Sequence, residues 1–326
     1  MAESSGTIKS SLPGAFPETM RRLLRKKSAF FSLLVCCAFL GMALFAEGYS
    51  LWCSHQGKEP VYRRQDPACR LQEPSAKHWM GTDYLGRDVF YRCIFGARTA
   101  VKVGVIASLI SSALGVALGI LAGYFGGRTD DGIVWLYSTF ASMPSLLFIL
   151  AFSLLVSKGF LCPWLDRAFD LLCTVLRTEK GMLGVYLSIG LTSWVSLCRV
   201  VRAETLKLRT KPYVLASLAM GQSSRNILFR HILPNLFHLV IVYFTMGFAT
   251  AVMTEVIVSF LGLGVQFEPS WGVMISDGQE RLWRGIYWEV GGATLFMFLL
   301  VLSLNLLGDA LRDTLDPRMR TKKNSF

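Results

Sequence analysis

The chain has 326 residues, of which 52% are hydrophobic and only 17% charged, with a formal net charge of +12 and a mean hydropathy of +0.44. A water-soluble globule carries roughly 25% charged residues spread over its surface, so the two soluble domains that the length alone suggests give way to a chain solvated mainly by lipid. The basic residues flank apolar runs instead of forming one stripe, which argues against nucleic acid as the partner.

Residues 1–28 are polar and basic, and the apolar run that follows is too long for the core of a cleaved signal peptide, so it reads as a retained first anchor. Six stretches, 29–48, 100–124, 132–157, 182–201, 235–258 and 286–308, are long enough to cross a hydrocarbon core of roughly 30 Å. None shows the alternation of a barrel strand. Lipid offers the backbone no hydrogen bonds, so the spans are expected to be helices and the fold an all-α membrane protein. The Arg21, Arg22, Arg25, Lys26, Lys27 cluster beside the first span, and further basic residues at 199–235 and in the 309–326 tail, place these segments and both termini in the cytoplasm. Residues 49–99 then form an outer segment.

In the second span, Ser111, Gly115, Gly119 and Gly123 recur every four residues and give one helical face of small side chains. Such a face lets another helix approach closely. It serves either helix packing or the lining of a path. Between the third and fourth spans, Leu161, Trp164, Leu165, Ala168, Leu172, Val175 and Leu176 share one helical face. Asp166, Arg167, Asp170, Thr174 and Arg177 share the other, and Pro163 suits a first turn. This predicts a short amphipathic helix within 158–180, on the outer surface or across the mouth of a path.

Residues that carry catalysis are lacking. The sequence has no GxxxxGK[ST] phosphate loop, no HExxH and no GxSxG. His55, His78, His231 and His238 have no metal-ligand spacing, and no CxxC is present. A Cys53–Cys69 or Cys162–Cys173 disulfide is open to an oxidising compartment. Glu255 stands out as an intramembrane carboxylate, a costly group that either hydrogen-bonds between helices or faces a polar cavity. One glutamate is thin support for an ion-coupled carrier, which usually needs more than one polar ion site near the midplane.

The inner loop 199–235 is long and basic. Pro212 marks a helix start and Gly221 its stop, which predicts a helix over 213–220, and Pro234 begins the next span. Small Ala216, Ser217 and Ala219 suit a close helix-in-groove contact. Residues 213–234, YVLASLAMGQSSRNILFRHILP, resemble the EAA loop of ABC-importer permeases, with Ala216, Gly221, Leu233 and Pro234 on the pattern. Leu215 replaces the usual Glu and Ser217 the second Ala. Residues 78–92, HWMGTDYLGRDVFYR, resemble the HPFGTDxLGRD signature of dipeptide and oligopeptide permeases. Residues 259–278, SFLGLGVQFEPSWGVMISDG, are similar to their SFLGLG…PSWG segment with one residue fewer, and 305–320, NLLGDALRDTLDPRMR, to their C-terminal signature. The 158–180 and 49–77 segments depart from the pattern.

This resemblance, to the OppC/DppC type of subunit, implies a type I importer (MetI-like) fold with a permease core over 100–308. It implies a bacterial cytoplasmic membrane, a second permease of OppB/DppB type, two ABC ATPase subunits and an extracytoplasmic peptide-binding protein. ATP and Mg would bind the ATPases and no cofactor this chain, which would be a non-catalytic subunit moving peptides. Tyr213, Ala216, Ser217, Gly221, Arg230, Leu233 and Pro234 would form the coupling loop. Glu255, Gly115, Gly119 and Gly123 remain candidates for path lining or packing. An ATPase-independent channel or ion-coupled carrier is the alternative.

Overall fold

The computed structural model describes residues 26–159, 163–262, 264 and 268–315. Among these it is helical, with short 3-10 turns at Val61–Arg63 and Pro67–Cys69. Helices α1 (Lys27–Gln56), α2 (Val89–Phe125), α6 (Lys180–Arg209), α9 (Leu233–Phe260) and α11 (Trp288–Leu315) are long and apolar enough to cross a membrane. Shorter helices are α3 (Gly127–Ser142), α4 (Ser145–Ser157), α5 (Pro163–Leu176), α7 (Pro212–Ala219), α8 (Ser224–Ile227) and α10 (Trp271–Leu282).

The spans outrun the apolar stretches that announce them. Helix α1 continues to Gln56 and α2 begins at Val89, so both ends of the expected 49–99 outer segment are helical. Asp88 fixes the start of α2 by accepting from the backbone N–H groups of Phe90 and Tyr91. The third expected span, 132–157, is not one helix. It is α3 and α4, bent by 91° at Met143–Pro144. Proline has no N–H to continue the ladder and drives the residue before it out of the helical region. Met143 accordingly lies at φ −83°, ψ 136°.

The packing of α2 on α6 fixes the topology. A Cβ added at Gly190 would lie 2.8 Å from Ile110, at Gly115 3.0 Å from Leu197, at Gly119 2.8 Å from Val201, and at Gly123 2.7 Å from Thr205. Both sequence positions rise together, so α2 and α6 are parallel. The chain between them must therefore return across the membrane, and α3–α4 is a broken span and not a re-entrant loop. Its contacts agree: Asp130 pairs with Arg202, Phe140 stacks edge-on against Trp194, and Ser153 donates to the Gly181 carbonyl, so α3–α4 runs antiparallel to α6. That makes six crossings among the described residues. Lys26 meets Asp313 at 2.9 Å, so the start of α1, the end of α11 and the α7–α8 segment share one face. Residues 57–88, α5 and α10 occupy the opposite face.

Helix α2 stands at the centre, its Val89, Cys93, Ala97, Ala100, Val103 and Ala107 in one core with α6, α9 and α11. The small-residue face of α2 is buried against α6. Gly119→Leu would drive a branched side chain into the Cys198 carbonyl, already 2.8 Å from a bare Cβ. Overpacking of this kind costs about 1–3 kcal/mol. The purified variant should melt several degrees lower, whereas Gly132→Leu, with nothing within 4 Å of its Cβ, should melt like the parent.

Candidate functional site: a presented helix and an ion-paired clasp

On the face shared by the start of α1 and the end of α11, α7 follows α6 after a two-residue turn, with Pro212 in its first turn, where no N–H is needed. Val214 and Ser217, one turn apart, point into the protein, Val214 joining Ile227, Ile232 and Leu236 in a second core. Ser217 donates to the Tyr213 carbonyl at 2.9 Å and lies 3.4 Å from His231 Nε2. Tyr213, Leu215, Ala216, Leu218, Ala219 and Met220 are all exposed, as is Phe229 nearby; Met220 and Phe229 are 71% and 70% accessible. Lys211, Arg225 and Arg230 are exposed around them. Gly221 ends the helix at φ +75°, a left-handed conformation that costs a side-chain-bearing residue about 1–2 kcal/mol. Around that turn the Met220, Gly221 and Gln222 N–H groups bond the Ala216, Leu218 and Ser217 carbonyls.

Ser217, read from sequence as part of an outward small-residue surface, is thus an inward anchor. The presented ridge is made of larger apolar residues. The fifth span also starts earlier than residue 235, because α8, a π-turn over Leu228–Ile232 and α9 form one rod from Ser224 to Phe260. Pro234 cannot donate in that rod. The π-turn, with Leu233 N bonding the Leu228 carbonyl five residues back, precedes it. Leu233 packs against the second core.

On the opposite face, the GTDYLGRD motif folds around Asp83. Its fully buried carboxylate accepts from Leu85 N (2.9 Å), Arg87 N (2.8 Å), Arg87 Nε (2.6 Å) and Arg92 Nη1 (2.8 Å). Arg92 continues to Glu289 on α11 (3.3 Å) and Asp277 on α10 (3.7 Å). His78 Nδ1 lies 2.8 Å from Asp88, Trp288 Nε1 donates to the Thr82 carbonyl, and an added Cβ at Gly86 would overlap the Asp66 carbonyl. The motif is a clasp that ties residues 66–88 to the starts of α2 and α11.

The PSWG segment builds a second fastening. Trp271 is buried across Gly96, where a Cβ would come within 2.7 Å of the indole, and its Nε1 donates to the Cys93 carbonyl at 3.0 Å. Glu255 is buried and accepts from Ser259 (2.6 Å) and Ser270 (2.7 Å), joining the end of α9 to the N-cap of α10. Glu255 is not alone among the span helices. Glu47 on α1 pairs with Arg98 and Lys102, and Glu289 on α11 with Arg92. The sequence signal for these two was a lone acid near the end of an apolar run. Beside the first pair, burial pushes the Glu268 carboxyl above its ordinary range, against the opposing pull of Arg98 and Lys102. Cys53 and Cys69 are free thiols, and the Cys162–Cys173 pairing falls outside the described residues.

The C-terminal signature is the last turns of α11, up to Leu315; its remaining residues, 316–320, lie outside the described ones. Gly115, Gly119 and Gly123 all lie in the α2–α6 contact.

Comparison with known proteins gives the family of the chain. The family model described as "Binding-protein-dependent transport system inner membrane component" matches residues 115–321. The chain is 33% identical over 308 residues to the oligopeptide transport system permease protein OppC of Bacillus subtilis, covering 93% of this chain and 90% of that one. It is 37% identical over 304 residues to the dipeptide transport system permease protein DppC of the same organism, covering 93% and 86%. To the glutathione transport system permease protein GsiD of Pectobacterium atrosepticum it is 33% identical over 254 residues, 77% of each. With the family model over well more than half of its length and permease relatives over nearly all of it, the chain belongs to the family of binding-protein-dependent transport system inner membrane components.

Proposed function

We propose that the chain is the OppC/DppC-type permease subunit of an ATP-driven importer that moves dipeptides or oligopeptides across the bacterial cytoplasmic membrane. The observation that carries this reading is the α7 ridge: an apolar surface of Leu215, Leu218 and Met220 held rigidly outward, ringed by Lys211, Arg225 and Arg230, on the face where both described ends of the chain lie. A helix anchored by two inward residues and apolar on its free side is built to enter a groove in another protein. The positive clusters at 21–27 and 199–230 support a cytoplasmic location for that face.

The occupant of the ridge is an ABC ATPase subunit, one of two. A second permease of OppB/DppB type completes the path, and an extracytoplasmic binding protein delivers peptide to the opposite face. ATP and Mg act on the ATPases, and this chain contributes no catalytic group. ATP-driven closure of the ATPases moves α7. The Ser217–His231 contact and the α8–α9 rod transmit the movement into the bundle, which alternates between two states with different nucleotide contacts. The peptide substrate is carried over from the oligopeptide and dipeptide permeases among the relatives.

Gly221→Val tests the reading. An added Cβ meets no heavy atom within 4 Å, so the only strain is the left-handed backbone at the exit of α7. The variant should insert and assemble with its ATPases, while peptide-stimulated ATP hydrolysis falls several-fold. Full stimulation would count against α7 as the coupling element. Peptide uptake by the purified chain alone in liposomes would favour an autonomous carrier.

A further inference from the structure

Helix α5 is held in one fixed orientation and leaves an apolar face uncovered. Leu165, Phe169 and Leu176 turn toward the protein. Lys180 on α6 bonds Asp170 at 2.7 Å, and Lys102 Nζ on α2 donates to the Leu176 carbonyl at 3.2 Å, in the last turn of the helix where a cation is favoured. These attachments leave Trp164, Leu171 and Val175 pointing away from the protein, 69%, 67% and 69% accessible. They lie at 164, 171 and 175, one stripe at helical spacing. Arg167 and Thr174 form the polar flank.

What covers this stripe follows from its height in the fold. Helix α5 joins α4 to α6, two elements of consecutive crossings. Its first turn lies beside the end of α4: an added Cβ at Gly159 would be 3.7 Å from Asp166 Oδ2. Its last turn meets Lys102, which is 13 residues, about 20 Å of helix, inside the start of α2 at Val89. Lys102 is also where the uninterrupted apolar part of α2 begins, and its partner Glu47 marks the same level on α1. The last turn of α5 thus sits where the apolar spans give way to ion pairs, and its first turn sits beside the end of α4, where the apolar run gives way to Lys158. The helix lies along that boundary, and α4, which leads into it, also exposes Leu154 and Leu155.

We infer that α5 is an interfacial membrane helix whose Trp164–Leu171–Val175 stripe is immersed among phospholipids at the headgroup–acyl boundary, with Arg167 at headgroup level. A tryptophan beside a basic side chain on an amphipathic helix is the residue chemistry of that layer. This inference goes beyond the importer reading and does not rest on it, since it needs only the membrane crossings.

The test places the photo-crosslinker benzoylphenylalanine singly at 171, 175, 167 and 174 of the full chain in its cellular membrane, irradiates, and weighs the purified product. Phospholipid adducts at 171 and 175 in several-fold excess over 167 and 174 are expected. Protein adducts at 171 and 175 would overturn the inference in favour of a protein partner on this stripe, and equal labelling or none at all four positions would overturn it as well. As an independent check, Trp164→Phe should remove a component of fluorescence that brominated phospholipids quench in proteoliposomes. An unchanged quenched fraction would also overturn it.

Discussion

Asp83→Ala should leave the protein largely unfolded at the face opposite α7, with little purified material surviving extraction from the membrane. The carboxylate is completely buried and is the shared acceptor of two backbone N–H groups and two arginines. Removing one member of a buried ion pair costs about 3–5 kcal/mol, because the partner charge stays behind without compensation. Here two guanidinium groups and two backbone donors lose a partner together, in a protein class whose whole stability is about 5–15 kcal/mol. Asp83→Asn should be milder: its amide oxygen still accepts from Leu85 and Arg87, while the charge against Arg92 is gone. Melting temperature should therefore fall, and tryptic sensitivity at Arg63, Arg64 and Arg70 rise, in the order parent, Asn and Ala. An alanine variant as protease-resistant as the parent would mean that the clasp does not hold residues 66–88.

Leu218→Asp should do the reverse, leaving the chain intact and weakening the proposed docking of α7 on an ATPase subunit. Leu218 is more than half exposed and lies outside the Val214 core contact, so its replacement changes the stability of the chain by no more than about 0.5 kcal/mol. In the proposed docked state a central apolar residue of α7 is different. Truncating an interface anchor costs about 2 kcal/mol or more, roughly thirty-fold in affinity, and a carboxylate buried in an apolar groove adds a desolvation penalty. The variant should show an unchanged melting temperature, reduced co-purification of the ATPase subunits and loss of peptide-stimulated hydrolysis. Val214→Asp, on the buried side of the same helix, should instead lower the melting temperature. If both variants lost stability equally, α7 would be part of the core and not a presented ridge.

The two faces of the protein solve different physical problems. The clasp face gathers charges into ion-paired clusters: Asp83, Arg92, Glu289 and Asp277 in one, and Glu47, Arg98, Lys102 and Glu268 in another. Buried ion pairs add little net stability but are strongly destabilising when broken, so they fix relative positions of α1, α2, α10 and α11. The opposite face leaves Lys211, Arg225 and Arg230 in solvent and exposes apolar side chains on α7. In the proposed importer, a rigid frame at one end and a presented helix at the other would let force applied at α7 move the bundle without disordering the other end.

Sequence alone determined the membrane class, the approximate spans, the Pro212–Gly221 helix and the amphipathic stretch that became α5. Each depends on local chemistry: the length of an apolar run, a missing N–H, a left-handed glycine, a 3.6-residue period. Tertiary structure decided what local chemistry could not. Pro144 was visible as a residue, but the 91° turn at it depends on α3 and α4 both packing on α6. The glycine face of α2 was legible; its partner was not, and the parallel pairing with α6 settled the path of the chain. Arg92 and Glu289 lie 197 residues apart, and Ser217 turned inward because Val214 beside it had a core to enter. Side chains choose partners through long-range packing, and a periodicity in sequence carries no record of which neighbour will fill each face.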